Sequence, residues 1–214
     1  MDSREFVEEL ERANQEIMAR MGREGAPEDS RADVLALFRI ALKNEFEAFE
    51  LAAHWIPTTP ELDVKLGLAR QVGDEAKHYR LLEARYRELG GVDFDPRQCG
   101  YSPLFQYLSG LKTSVERLAA GQFTREALAQ RRNEMFIEYL LAIGDTQTAK
   151  IYQETIQADE GYHHELGKTM LLKYATTPEH QRAAREACRR TLEIAENLRA
   201  GAIAKTGAYQ IPGC

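Results

Sequence analysis

Residues 30–56, SRADVLALFRIALKNEFEAFELAAHWI, decide the fold class. Val34, Phe38, Ala41, Ala48, Ala52 and Trp55 fall at steps of three and four, apart from one gap. That is the period of a helix with one face against a core. Glu45 fills the gap in the stripe, where an apolar residue is expected. A carboxylate facing a core costs several kcal/mol unless a cation or hydrogen bonds compensate. Ser30 and Asp33 resemble a capping box at the start of this helix, and Pro57-Thr58-Thr59-Pro60 stops it.

Outward from this stretch the same grammar repeats. A helix over residues 3–21 precedes it, broken by glycines and a proline over 22–29. A third helix runs over 61–89 and stops at Gly90-Gly91. A looser segment follows, then a short helix over 104–120 that Gly121 ends. A fourth helix over 124–143 meets a turn at Gly144-Asp145, and a fifth covers 146–174. Pro178 suits the first position of a last helix over 179–205, and the tail GAYQIPGC has no clear structure. No alternating β-branched run competes, so the fold class is all-α. The 214 residues form one domain, with a core over about 31–174 and accessory helices outside it.

Composition excludes several classes. The net charge is −6, which argues against a general nucleic-acid binder. No apolar run approaches membrane-spanning length. The amino-terminal residues are acidic and polar and lack a signal-peptide core, so a cytoplasmic location is expected. Cys99, Cys188 and Cys214 form no C-x-x-C, which argues against a zinc ribbon or a rubredoxin-type iron site.

A repeat carries the chemistry. Asp74-Glu75-Ala76-Lys77-His78 and Asp159-Glu160-Gly161-Tyr162-His163 both read D-E-x-x-H. Residues i and i+3 share a helix face, so a Glu oxygen and a His nitrogen can converge on one metal ion. Two such helices, with one further Glu from each of two more, would complete a dinuclear site in a four-helix bundle. Counting residues from the turns pairs Glu45 with Glu75 at a common level. Matching the two halves then selects Glu134 opposite Glu160, with Glu138 as its rival one turn later. His164 is the alternative to His163. The pairs Arg131-Arg132 and Arg189-Arg190 read as a solvated face, or alternatively as a patch for an anionic substrate.

The ordered set Glu, D-E-x-x-H, Glu, D-E-x-x-H resembles the ferritin-like di-iron carboxylate superfamily over about residues 31–174. The resemblance implies a four-helix bundle with a long crossover and additional terminal helices. It implies metal ligands Glu45, Glu75, His78, Glu134, Glu160 and His163, with Asp74 and Asp159 as partners of the imidazoles. The preceding Asp resembles the oxygenase and hydroxylase branches, and loosely the tRNA hydroxylase family. The missing rubredoxin segment disfavours a self-contained rubrerythrin, and the doubled ligand set disfavours a storage cage.

The function expected is that of a non-haem di-iron oxygenase or oxidase, with two Fe ions, or a Mn/Fe pair. It would use O2 and a small organic substrate. Electrons would come from a separate donor, since the chain has no nucleotide-binding or iron–sulfur motif. The outer helices would shape a substrate pocket or a homodimer interface. The alternative is a ferroxidase or metal-handling protein without an organic substrate.

Overall fold

The structure is a computed structural model and describes residues 1–21, 33–207 and 209–213. It is all-α, with no strand among the described residues. Helix α1 spans Ser3–Met21, α2 Val34–Trp55, α3 Leu62–Glu88 and α4 Pro103–Ser109. Helix α5 is continuous over residues 114–142: Ser114–Arg117 and Glu126–Ala142 are α-helical, and Leu118–Arg125 between them is π-helical. Helix α6 covers 146–174 in the same way, with a π segment at Tyr152–Ile156, and α7 spans Pro178–Thr206.

Local chemistry sets these boundaries. The Asp33 side chain accepts a hydrogen bond from the Leu35 amide at 3.0 Å and caps α2. The expected start near Ser30 and the break over 22–29 lie outside the described residues. Asp145 caps α6 through the Thr148 amide, just after Gly144 turns the chain at φ 83°. Thr177 caps α7, with Pro178 in its first turn.

Two expectations change. Gly121 does not end a helix. It lies inside α5 because that helix starts late, at a Thr113–Glu116 capping box, and needs a residue without a side chain where it crosses Trp55. A Cβ at Gly121 would stand 2.9 Å from the indole ring. Residues 209–213 of the tail also pack against the helices. The Gly213 amide donates to Asn133 Oδ1 at 2.8 Å, the Pro212 carbonyl accepts from Asn44, and Ile211 is buried.

Helices α2 and α3 pack along each other, as do α5 and α6; α1 lies on α6 and α7, while α7 covers the π segment of α5. The apolar core forms two main blocks. One gathers Leu51, Trp55, Leu68, Phe123 and Leu171. The other gathers Phe38, Leu42, Leu82, Phe136, Tyr152 and Ile156. On α2, α3, α5 and α6, the interval between the residues of one block and those of the other carries a buried acid.

Candidate metal centre

Those intervals hold the candidate site. Glu45 comes from α2, Glu75 and His78 from α3, Glu126 from α5, and Glu160 and His163 from α6. All six are at 0% exposure. Their donor atoms form two groups, Glu45–Glu75–His78 and Glu75–Glu126–Glu160–His163. Within each group, one atom per residue lies within 4.8 Å of all the others. These buried groups can hold a metal ion, and Glu75 belongs to both.

The two imidazoles are oriented by a crossed exchange between the repeats. His78 Nε2 faces Asp159 Oδ2 at 3.0 Å, and His163 Nε2 faces Asp74 Oδ2 at 3.3 Å. Each Asp therefore serves the histidine of the other motif. A proton on Nε2 donated to the Asp leaves Nδ1 as the ligating nitrogen. His78 Nδ1 stands 3.1 Å from Glu75 Oε2 and 3.4 Å from Glu45 Oε2. His163 Nδ1 stands 3.5 Å from Glu75 Oε1 and 3.6 Å from Glu160 Oε2. Lys77 and Arg70 hold the aspartates from outside, at 2.6 Å to Asp159 and 3.2 Å to Asp74.

A second buried chain holds the carboxylates. Gln122 Nε2 donates to Gln71 Oε1 at 2.8 Å. Gln71 Nε2 in turn donates to Glu126 Oε1 at 2.7 Å and to Glu75 Oε1 at 3.1 Å. Arg125 Nη1 also donates to Glu126 Oε1, at 3.2 Å. The opposite oxygen, Glu126 Oε2, has no hydrogen-bond partner, nor do both oxygens of Glu45, both oxygens of Glu160, or His163 Nδ1. Buried polar atoms are nearly always satisfied, so this concentration of unsatisfied donor atoms fits a cation among them.

The electrostatics agree in sign. Burial lifts the Glu45 carboxyl to about 7, against the pull of His78. Burial and the neighbouring charges of Glu126 and Glu75 raise Glu160 well above the carboxylate range. Burial alone would raise Glu75 too. Its hydrogen bond to His78 and the charges of His163, His78 and Arg125 outweigh this and hold it at about 2. Burial works against the His78 imidazolium, but the close carboxylates of Glu45 and Glu75 push it up to about 11. Each uncompensated buried ion costs several kcal/mol, whereas a whole domain is stable by about 5–15 kcal/mol. Four carboxylates in one dry layer therefore need either protons or cations.

Of the residues expected from the sequence, Glu45, Glu75, His78, Glu160 and His163 meet here, with Asp74 and Asp159 behind them. Glu134 does not. It is exposed, as is Glu138, and it lines a separate cleft with Glu11 and His164. Glu126 takes the place expected for Glu134. The helix expected over 124–143 already contains Glu126, but matching the two halves across the Pro57–Pro60 loop takes their arms as equal and so selects Glu134. Two signals in the sequence point to Glu126. Ala119, Gln122, Glu126, Ala129, Asn133, Phe136 and Leu140 form a stripe at steps of three and four, with an acid inside it as at Glu45. Glu126 also lies 18 residues before Gly144, closer to the 15 that separate Asp145 from Glu160 than Glu134 at 10. His164 turns away from the cluster, donating from Nδ1 to the Phe123 carbonyl at 2.8 Å.

No family model, curated protein or solved structure matches the chain. No described helix is long and apolar enough to cross a membrane.

Proposed function

We propose that this chain is a ferritin-like di-iron carboxylate protein, a non-haem oxygenase or oxidase that uses O2 on a small organic substrate. The observation that carries the reading is the layer of four carboxylates and two imidazoles at 0% exposure, with Glu75 common to two ligand groups. Glu45, Glu75 and His78 would hold one ion. Glu126, Glu160 and His163 would hold the second, with Glu75 between them. Oxygen-rich sites with one imidazole per ion and no thiolate suit iron or manganese. Bound iron would supply one-electron chemistry and the activation of O2.

The chain's own residues have definable tasks. Asp159 and Asp74 fix the tautomer of His78 and His163. Gln71, with Gln122 behind it, holds the Glu126 and Glu75 carboxylates in position. The apolar blocks above and below exclude water. Electrons would arrive from a separate donor protein.

A second reading, a ferroxidase without an organic substrate, draws on the polar cleft that carries Glu11, Glu134 and His164. Both readings are tested on purified protein by elemental analysis and by anaerobic spectra before and after O2. About two ions per chain and a carboxylate-bridged iron absorption that appears with O2 support the di-iron assignment. Under about half an ion per chain overturns it. Multiple turnovers of added Fe2+ without a co-substrate would favour the ferroxidase.

A further inference from the structure

A second cavity, of about 460 Å³, lies between α2, α4, α5, α7 and the carboxy-terminal tail. That is within the range of small-molecule sites. Ile40, Leu51, Phe105, Leu108, Leu198 and Ile211 give it an apolar lining. Its charged residues are unlike those of the chain as a whole, which is net acidic. Lys43, Arg125, Arg132, Arg199 and Lys205 line it, and Glu47 is the only acid among its described lining residues. Glu47 is already engaged: it accepts from the Ser102 amide and hydroxyl and pairs with Lys43 at 3.0 Å.

Two guanidinium groups have capacity left over. Arg199, at 6% exposure, spends Nη1 on Glu196 at 3.2 Å, and its Nη2 is buried without a partner. Arg132 spends Nη2 on the Ala195 carbonyl at 3.0 Å. Burial pulls Arg132 down to about 10, so it stays charged at neutral pH. A guanidinium fork in a low-dielectric wall is matched by the two oxygens of a carboxylate. The cavity wall also touches the candidate metal centre through Arg125, whose Nη1 donates to Glu126 Oε1.

From this geometry we infer that the cavity binds an organic acid, with its carboxylate on Arg199 and Arg132 and its apolar body against the aliphatic and aromatic lining. Resting on the di-iron reading, the same acid is the class of substrate presented to the metal centre. Neither Arg131, which is exposed, nor Arg189 and Arg190, which pair with Glu186 and Glu193, belongs to this group.

The test is calorimetric titration of the full chain, as purified, with decanoate. Decanol and decyl phosphate serve as the uncharged and phosphate controls, and metal content is measured on the same samples. Decanoate should bind at least tenfold more tightly than decanol. Arg199→Met and Arg132→Met, whose folding is checked by circular dichroism, should each weaken decanoate at least tenfold and leave decanol unchanged. Equal binding of decanoate and decanol, tighter binding of decyl phosphate than of decanoate, or binding indifferent to both substitutions would overturn the inference. Should both variants fail to fold, Arg199→Lys and the decanoate–decanol ratio of the unmodified chain decide it. Metal without decanoate binding sinks this inference alone; decanoate binding without metal sinks the di-iron reading and its substrate extension.

Discussion

The two helical hairpins carry the same motif on different supports. In the α2–α3 half, both helices are regular through the site, and neither Glu45 oxygen has a hydrogen-bond partner. In the α5–α6 half, a π segment ends immediately before Glu126, and another ends four residues before Glu160. Glu126 is held by Gln71 and Arg125, while neither oxygen of Glu160 has a hydrogen-bond partner, as at Glu45. An added residue in a helical turn changes which side chains face inward, and π segments gather at functional sites for that reason. A repeated motif can thus place equivalent donors while the fold supports them unequally.

The comparison breaks most severely at Glu75, the residue common to both ligand groups. Glu75→Ala should reduce metal content from about two ions per chain to under about half an ion, read by elemental analysis. Glu126→Ala should spare the Glu45–Glu75–His78 group and leave about one ion per chain. Glu134→Ala, on an exposed position, should leave the content unchanged. Loss of metal with Glu134→Ala and not with Glu126→Ala would restore the symmetric assignment.

The sequence exposed most of this site for a physical reason. A carboxylate in an apolar stripe is visible wherever the stripe is unbroken, as around Glu45. Gly121 hides the continuity of residues 114–142. Gly121 looks like a helix stop, but whether a glycine ends a helix or lets a neighbour approach depends on the far side of the contact. Here that neighbour is Trp55, remote in sequence. The crossed Asp74–His163 and Asp159–His78 exchange was legible only as a pair of aspartates, because partner choice is a property of the packing. The tail's anchors, Asn133 and Asn44, are also distant in sequence.

The buried carboxylates without hydrogen-bond partners, Glu45 in one half and Glu160 in the other, predict a pH signature. Glu45 sits at about 7 against an ordinary 4.5, and His78 at about 11 against 6.5. Both values are raised on folding, so each contribution is full below the unfolded value and lost as pH rises through the folded one. For Glu45 that window is 4.5 to 7, and for His78 it is 6.5 to 11. Glu75, lowered to about 2, contributes a loss only below pH 4.5. Chelator-treated protein should therefore lose stability from pH 5 to pH 9, as Glu45 and then His78 lose their protons in the dry layer. Metal-loaded protein should show the opposite slope, because the ions require deprotonated ligands. Urea titrations across this range read both slopes, and a flat profile for the chelated protein would remove the electrostatic account.

The crossed aspartates sharpen the comparison further. Asp159→Asn and Asp74→Asn should each lower metal affinity about 10–100-fold, the usual cost of losing the partner of a ligating histidine. Asp159→Asn should act on the group containing His78 and Asp74→Asn on the group containing His163. Competition with a chromophoric chelator resolves the two ions. If each substitution weakened the ion of its own motif instead, the exchange between repeats would be wrong.

The smallest effect separates the halves by packing alone. A Cβ at Gly167 of α6 would lie 2.6 Å from the Phe123 amide nitrogen and 2.8 Å from the Gln122 carbonyl carbon. These are backbone atoms of the π segment leading to Glu126, and they cannot turn aside. A Cβ at Gly67 of α3 would meet Leu166 Cδ2 at 2.5 Å, the far end of a flexible side chain. Gly167→Ala should therefore cost about 1–3 kcal/mol by overpacking, while Gly67→Ala should cost less because Leu166 can change rotamer. Both substitutions gain the same helix propensity, so the difference in their urea midpoints isolates the contact. Because the displaced backbone carries Gln122 and Glu126, Gly167→Ala should also weaken metal binding, and Gly67→Ala should not. Equal costs with unchanged metal binding would mean that the π segment yields as readily as a leucine side chain, and the asymmetry between the hairpins would then have no mechanical meaning.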